Sequence, residues 1–297
     1  MTERGTGAPP LQFCMALSFS PLHHFVPLAR AADETGWHAV ALSDHVANPE
    51  VIESVYPYTE DGARRWEPFT PWADPWVAIG AMAGATTNIR FFTNIYVLPM
   101  RPPAAVAKTV GTAAVISGNR VALGVGMGWM EEEFRLLEQP FARRGRRADE
   151  MLEVLAKLWA GGWAEHHGEF YDFDRLEMSP APTERIPIYV GGMSEAALRR
   201  AARHDGWISD LHTIDELRDI TTKLQRYREE LGRADEPFVV VGSTLEAVDL
   251  DGYRRVADAG VTHLLTLPWV FYSGFTDDLD ARVDGVRRFG DDIIARY

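Results

Sequence analysis

The chain has 297 residues, 46% of them hydrophobic and 25% charged, enough apolar material for one barrel-sized domain or two smaller ones. Its formal charge of −13 argues against non-specific attachment to nucleic acid or to an anionic membrane surface, both of which require cationic faces. No uninterrupted apolar run is long enough to cross a bilayer, and the single cysteine, Cys14, has no internal disulfide partner, in keeping with a buried thiol in a reducing cytoplasm.

Residues 1–10, MTERGTGAPP, are polar and rich in Gly and Pro without an apolar signal core, and read as a flexible tail ahead of a single domain over 11–297. LQFCMALSF is then strand-like, and FVPLARAADETG has helical spacing closed by Gly36. HAVALSD is a second strand, followed by a long aromatic and Pro-rich excursion from Val46 to Trp72. ADPWVAIGAMAGAT is helical with Asp74 as N-cap, IRFFTNIYVLP is a third strand, and PPAAVAKTVGTAAVISG is a helix ending at Gly118. RVALGVGMGW makes a fourth strand, after which come the helix RRADEMLEVLAKLWAGG and a second, irregular excursion, WAEHHGEFYDFDRLEMSPAPTE. The rhythm resumes with the strands IPIYVGG, WISDL, PFVVVGS and VTHLLTLPW, separated by the helices SEAALRRAARHDG, IDELRDITTKLQRYREELG and LEAVDLDGYRRVADAG. A last helix covers about residues 277–295.

Eight strands each followed by a helix predict an α/β fold, a closed (β/α)8 TIM barrel with excursions after strands two and four. A doubly wound open sheet would place a Gly-rich fingerprint after the first strand, and SFSPLHHF has no glycine. In a barrel, ligands meet the C-terminal strand ends, which here carry Ser18 with His23 and His24, Asp44–His45, Asn94, Met127 to Trp129, Gly191–Gly192, Asp210 to His212, Ser243 and Trp269. The absence of lysine among them disfavours Schiff-base chemistry.

His45 brings an imidazole that can act as acid or base, with Asp44 to orient or charge it; a strand-end histidine capping carbonyls is the plainer alternative. In YVGGMSEAALRR, a Gly-Gly turn and a Ser N-cap leave backbone N–H groups free for a phosphate. GVGMGWMEEEF is a poor dinucleotide fingerprint: its glycines leave room for a flat ring or merely for close strand packing. No metal site is expected, because His23–His24 and His166–His167 are adjacent pairs whose side chains diverge. There is no Gly-x-Ser-x-Gly nucleophile elbow, and Trp66, Trp72 and Trp76 either line a pocket or pack in a lid.

The segments ALSDH, FFTNIYVLPMRPPAAVAK, GNRVALGVGMGWMEEEF, RRADEMLEVLAKLW and IPIYVGGMSEAALRRAARHDGW, in this order and spacing, resemble the luciferase-like monooxygenase superfamily, and within it the coenzyme F420-dependent oxidoreductases. The resemblance implies a deazaflavin across the barrel mouth, with Asp44 and His45 matching the Asp-His pair of F420 enzymes and hydride passing between ring and substrate. It implies a bulge with a non-prolyl cis peptide at Asn94–Ile95, Met127 and Gly128 near the ring, and Gly191, Gly192 and Met193 at the phosphate. A substrate pocket of Ser18, His23, Trp129, His212 and Trp269 is expected, taking a small, largely apolar organic molecule. Luciferase carries an arginine for the flavin phosphate near the position of Met127, so the methionine favours F420 over flavin mononucleotide, the alternative cofactor. Sugar-phosphate dehydrogenases of the family carry a glutamate near Trp129 and a tryptophan soon after the Asp-His pair; Trp129 and VANPE stand there instead, against glucose-6-phosphate oxidation. A flavin-dependent monooxygenase and a non-catalytic cofactor-binding protein are the competing readings, and family members are often homodimers.

Overall fold

The computed structural model describes residues 10–297; the segment 1–10, read as a tail, lies outside the described residues except for Pro10. The chain runs β1 (Gln12–Ala16), α1 (Phe25–Glu34), β2 (Ala39–Leu42), α2 (Pro75–Ala83), β3 (Arg90–Thr93), β4 (Tyr96–Val97), α3 (Pro103–Ser117), β5 (Val121–Gly126), α4 (Glu131–Leu136) and α5 (Arg144–Trp159). It continues through β6 (Trp163–His167), β7 (Asp172–Glu177), β8 (Ile188–Gly191), α6 (Glu195–Ala201), β9 (Gly206–Leu211), α7 (Ile214–Glu230), β10 (Val239–Ser243), α8 (Leu250–Asp258), β11 (His263–Thr266), α9 (Val270–Ser273) and α10 (Leu279–Asp292). Parallel pairing in the order β1, β2, β3, β5, β8, β9, β10, β11 returns to β1 through the Phe13–Leu264 register, so eight strands close a (β/α)8 barrel.

Alternation along each strand sorts the core. Cys14, Ala39, Ala41, Phe92, Ala122, Ile208, Val241 and Leu265 form one buried cluster, while their strand neighbours Phe13, Met15, Val40, Leu42, Phe91 and Leu123 belong to another together with helix residues. The first cluster fills the barrel and the second joins it to the helical ring. Cys14 is fully buried, and desolvation pushes its thiol well above the ordinary range, which makes it inert.

Local signals account for several helix ends. Asp74 caps α2 by accepting the Trp76 and Val77 N–H groups at 3.0 Å each, as expected. α8 is shorter than its periodicity suggested: Asp249 accepts the Gly252 N–H at 2.7 Å and starts the helix there. The second excursion is ordered, its strands β6 and β7 pairing antiparallel, and Glu150 of α5 accepts the Glu169, Phe170 and Tyr171 N–H groups at its turn. The third strand is split into β3 and β4 by the cis Asn94–Ile95 peptide. The first excursion has no helix or strand, yet it is pinned. Glu132 of α4 accepts from the Glu53 N–H at 2.7 Å and the Ser54 hydroxyl at 2.8 Å, and the Tyr56 N–H donates to Gly62 O at 3.1 Å, closing a small loop on itself. No helix among the described residues is long and apolar enough to cross a membrane.

At the end of the barrel where strands begin, His38 and His263 meet with their Nε2 atoms 3.2 Å apart. Burial, reinforced by the nearby Arg90 charge, pulls them down to about 4 and about 3 respectively. Their folded values lie below the unfolded value, so both states are neutral above about pH 6.5 and only the unfolded chain takes up protons just below it. Stability is therefore expected to fall by about 1.4 kcal/mol per pH unit per histidine as pH drops from 6 toward 4. Urea unfolding at stepped pH checks this, and a His263→Gln variant should show a shallower decline over the same interval.

Candidate active site

The strand ends and the first excursion enclose a cleft of about 700 Å³, within the range of small-molecule sites. Ser18, Asp44, His45, Asn94, Ile95, Met127, Gly128, Trp129, Gly191, Gly192 and Met193 all line it. Ser43 donates to Asn94 O at 2.8 Å, so the 2.7 Å contact between the Ser18 and Ser43 hydroxyls is a donation from Ser18.

The partner of His45 is not Asp44 but Glu133, on the first turn of α4. His45 Nδ1 lies 2.9 Å from Glu133 Oε2, and Glu133 Oε1 accepts the Val46 and Ala47 N–H groups at 2.7 and 3.2 Å. An ionised carboxylate can only accept, so Nδ1 carries the proton and Nε2 is left for a ligand. The Glu133 side chain is 2% exposed and that of His45 11%. Trp66 and Trp72 from the excursion stand with ring centroids 4.8 Å from the imidazole, and Trp129 stands 6.3 Å away. The sequence signal for Glu133 was present in GWMEEEF, but which of three adjacent glutamates reaches back 88 residues is a property of the folded chain.

Asp44 is directed elsewhere. Its carboxylate takes a bidentate pair from Arg101 at 2.6 and 2.8 Å and the Val97 N–H at 2.9 Å, which ties the end of β2 to the far side of the β3–β4 break. Burial pushes this carboxyl up, and the Arg101 guanidinium opposes that shift. Its oxygens are spoken for, and its contribution to the site is to hold the wall.

Three expected pocket residues do not line the cleft. His23 sits on an exposed turn with its ring against His24. Trp269 is 2% exposed and packs under α10, so close that a Cβ on Gly285 would come within 2.5 Å of its Cα. The reason is that the chain turns into α9 straight after β11, carrying the indole into the helical layer. His212 stands just behind the lining, its Nε2 3.2 Å from Met193 Sδ.

The glycines are explained by packing. A Cβ on Gly191 would lie 2.7 Å from Ile95 Cγ2, and one on Gly126 would strike the same side chain, so both make room for the residue that follows the cis peptide. Gly192 has φ +115°, a backbone shape that side chains rarely adopt. Ser194 caps α6 by accepting the Ala197 N–H at 3.2 Å.

The cleft also holds two arginines that were not among the expected site residues, Arg144 in the RRGRR run and Arg200 on α6. Arg200 is paired with Asp149 at 2.6 and 3.0 Å, whereas Arg144 donates to Gly128 O at 3.0 Å, stacks on Phe141, and has no carboxylate partner among the described residues. Desolvation lowers its pKa, with Glu131 opposing, which marks it as a cation short of counter-charge.

The profile of the luciferase-like monooxygenase family matches residues 2–272. An uncharacterised protein of Mycobacterium tuberculosis is 38% identical over 96% of this chain and 100% of its own length. An F420-dependent glucose-6-phosphate dehydrogenase of Nakamurella multipartita is 29% identical over 92% of this chain and 78% of its own length. The solved structure of a coenzyme F420-dependent tetrahydromethanopterin reductase from Methanopyrus kandleri superposes with a TM-score of 0.75 at 15% identity, covering 97% of this chain and 100% of that one.

Proposed function

The chain belongs to the luciferase-like monooxygenase family, a family of oxidoreductases, and from that premise we propose that it is a coenzyme F420-dependent enzyme moving a hydride between the deazaflavin and a small, largely apolar organic substrate. The observation that carries this reading is the imidazole of His45, half-buried among indoles with Nδ1 fixed by Glu133 and Nε2 left over. A cleft of this volume with one uncompensated arginine fits a flat ring with an acidic tail. Asn94, Ile95, Met127 and Gly128 would hold the ring, and Arg144 with the backbone of Gly191, Gly192 and Met193 the anionic tail. When bound, the deazaflavin supplies two-electron hydride chemistry. The protein holds or moves the accompanying proton at His45 Nε2, while Trp66, Trp72 and Trp129 keep water from the reacting end.

Titrating the purified protein with F420 and with flavin mononucleotide, followed by visible absorbance, tests the cofactor. Saturable F420 binding is expected, weakened about tenfold in Arg144→Gln through loss of a charge-assisted contact. Tighter binding of flavin mononucleotide than of F420 would overturn the proposal.

A further inference from the structure

Apart from His45, the charged side chains lining the cleft are Asp44, Arg65, Arg144, Arg200 and Asp210. Asp44 is neutralised by Arg101 and Arg200 by Asp149. Arg65 is the cation that the first excursion brings to the aromatic side of the cleft, and it is not free. Its Nη1 and Nη2 bind the two Asp210 oxygens at 2.7 and 2.8 Å, and Nη2 also donates to Tyr58 O at 2.6 Å. Asp210 belongs to β9, so the pair spans the mouth from the excursion to a strand 145 residues away. Around it the wall is apolar and aromatic: Tyr56, Trp66, Trp72 and Trp129 pack with centroid separations between 5.2 and 6.3 Å.

We propose that the Arg65–Asp210 pair sets the charge selectivity of this cleft, so that its aromatic side takes an uncharged organic substrate and rejects a phosphorylated or carboxylated one. The inference deepens the functional reading above and rests on it in taking the aromatic side as the substrate's. The physical reason is that a bidentate guanidinium has spent its best donors on Asp210, and an incoming anion meets the aspartate's charge as well as the arginine's. The side chains of Arg65 and Asp210 are 36% and 24% exposed, so removing the pair is expected to cost little stability, which thermal unfolding of each variant checks.

Benzyl alcohol and phenyl phosphate, matched in ring and differing in charge, are the probes, with binding read by calorimetry without turnover. The wild-type protein is expected to prefer benzyl alcohol. Asp210→Asn, which keeps the shape and removes the charge opposing the guanidinium, should raise phenyl phosphate affinity about tenfold at low salt and leave benzyl alcohol unchanged. The double variant R65Q/D210N should lose that gain, and Arg65→Gln alone should bind phenyl phosphate more weakly than wild type. The comparison is made in an Arg144→Gln background throughout, because the unpaired Arg144 guanidinium would otherwise take phenyl phosphate itself, so the differences report Arg65. Phenyl phosphate binding to wild type as tightly as to D210N, or a gain that survives loss of Arg65, would overturn the proposal. Failure of the F420 titration would instead strike the cofactor assignment, which this comparison does not touch.

Discussion

A His45→Ala variant is expected to lose roughly 10²–10⁴-fold in kcat, the span typical for removing a positioned acid or base, while F420 affinity changes little. The imidazole lines the cleft with one nitrogen committed to Glu133 and the other uncommitted. Its removal therefore takes away the proton carrier but none of the backbone that would hold the cofactor tail. Glu133 offers the sharper comparison. In Glu133→Gln the Val46 and Ala47 N–H groups hold the amide oxygen, so the amide nitrogen faces Nδ1 and donates to it, which reverses the tautomer and moves the ring proton to Nε2. The nitrogen-15 shifts of the imidazole should then show the proton on Nε2 in place of Nδ1, accompanied by a fall in kcat larger than any rise in KM. Glu133→Ala additionally strands the Val46 and Ala47 N–H groups and should lower stability as well as turnover. Unchanged kcat in His45→Ala would remove the histidine from the chemistry.

Arg101→Ala is expected to cost about 3–5 kcal/mol of stability at neutral pH, because it leaves the Asp44 carboxylate buried with no counter-charge. The side chain of Asp44 is 1% exposed, so the pair is shielded from solvent in the intact protein. Burial already raises this carboxyl, and in that variant the guanidinium that opposes the shift is gone, so its folded-state value rises further above the unfolded one. The deficit should thus shrink as pH falls into the acid range, where the buried carboxyl takes up a proton and needs no counter-charge, and grow as pH rises. Denaturant unfolding at pH 4.5 and 7.5 checks the sign, and the double variant D44N/R101A should recover part of the loss at the higher pH.

The barrel was legible because its strands are short apolar runs bounded by helices whose caps are local signals, such as Asp74 before α2 and Gly118 after α3. The position of His45, Asn94, Met127 and Gly191 around one opening followed from that topology alone. What could not be read is pairing across the barrel. Asp44 and His45 are neighbours in sequence, and a carboxylate beside an imidazole invites the inference that they interact; the fold sends one to Arg101 and the other to Glu133. Trp269 was placed at the rim by counting strand ends, a rule that fails where the chain turns at once into a short helix. The β6–β7 hairpin escaped because its residues are mostly exposed or half-buried, which leaves no run of apolar residues to announce it.

The tandem glutamates of α4 divide their labour: Glu133 fixes the imidazole and Glu132 anchors Ser54, ahead of the loop that the Tyr56–Gly62 contact closes on itself. With Arg65 held by Asp210 of β9, the stretch between Ser54 and Arg65 is a cassette with both ends fastened to the scaffold. Exchanging its interior would redecorate the roof over the reactants while leaving the proton-handling histidine in register, which gives this barrel a way to change clientele without rebuilding its chemistry.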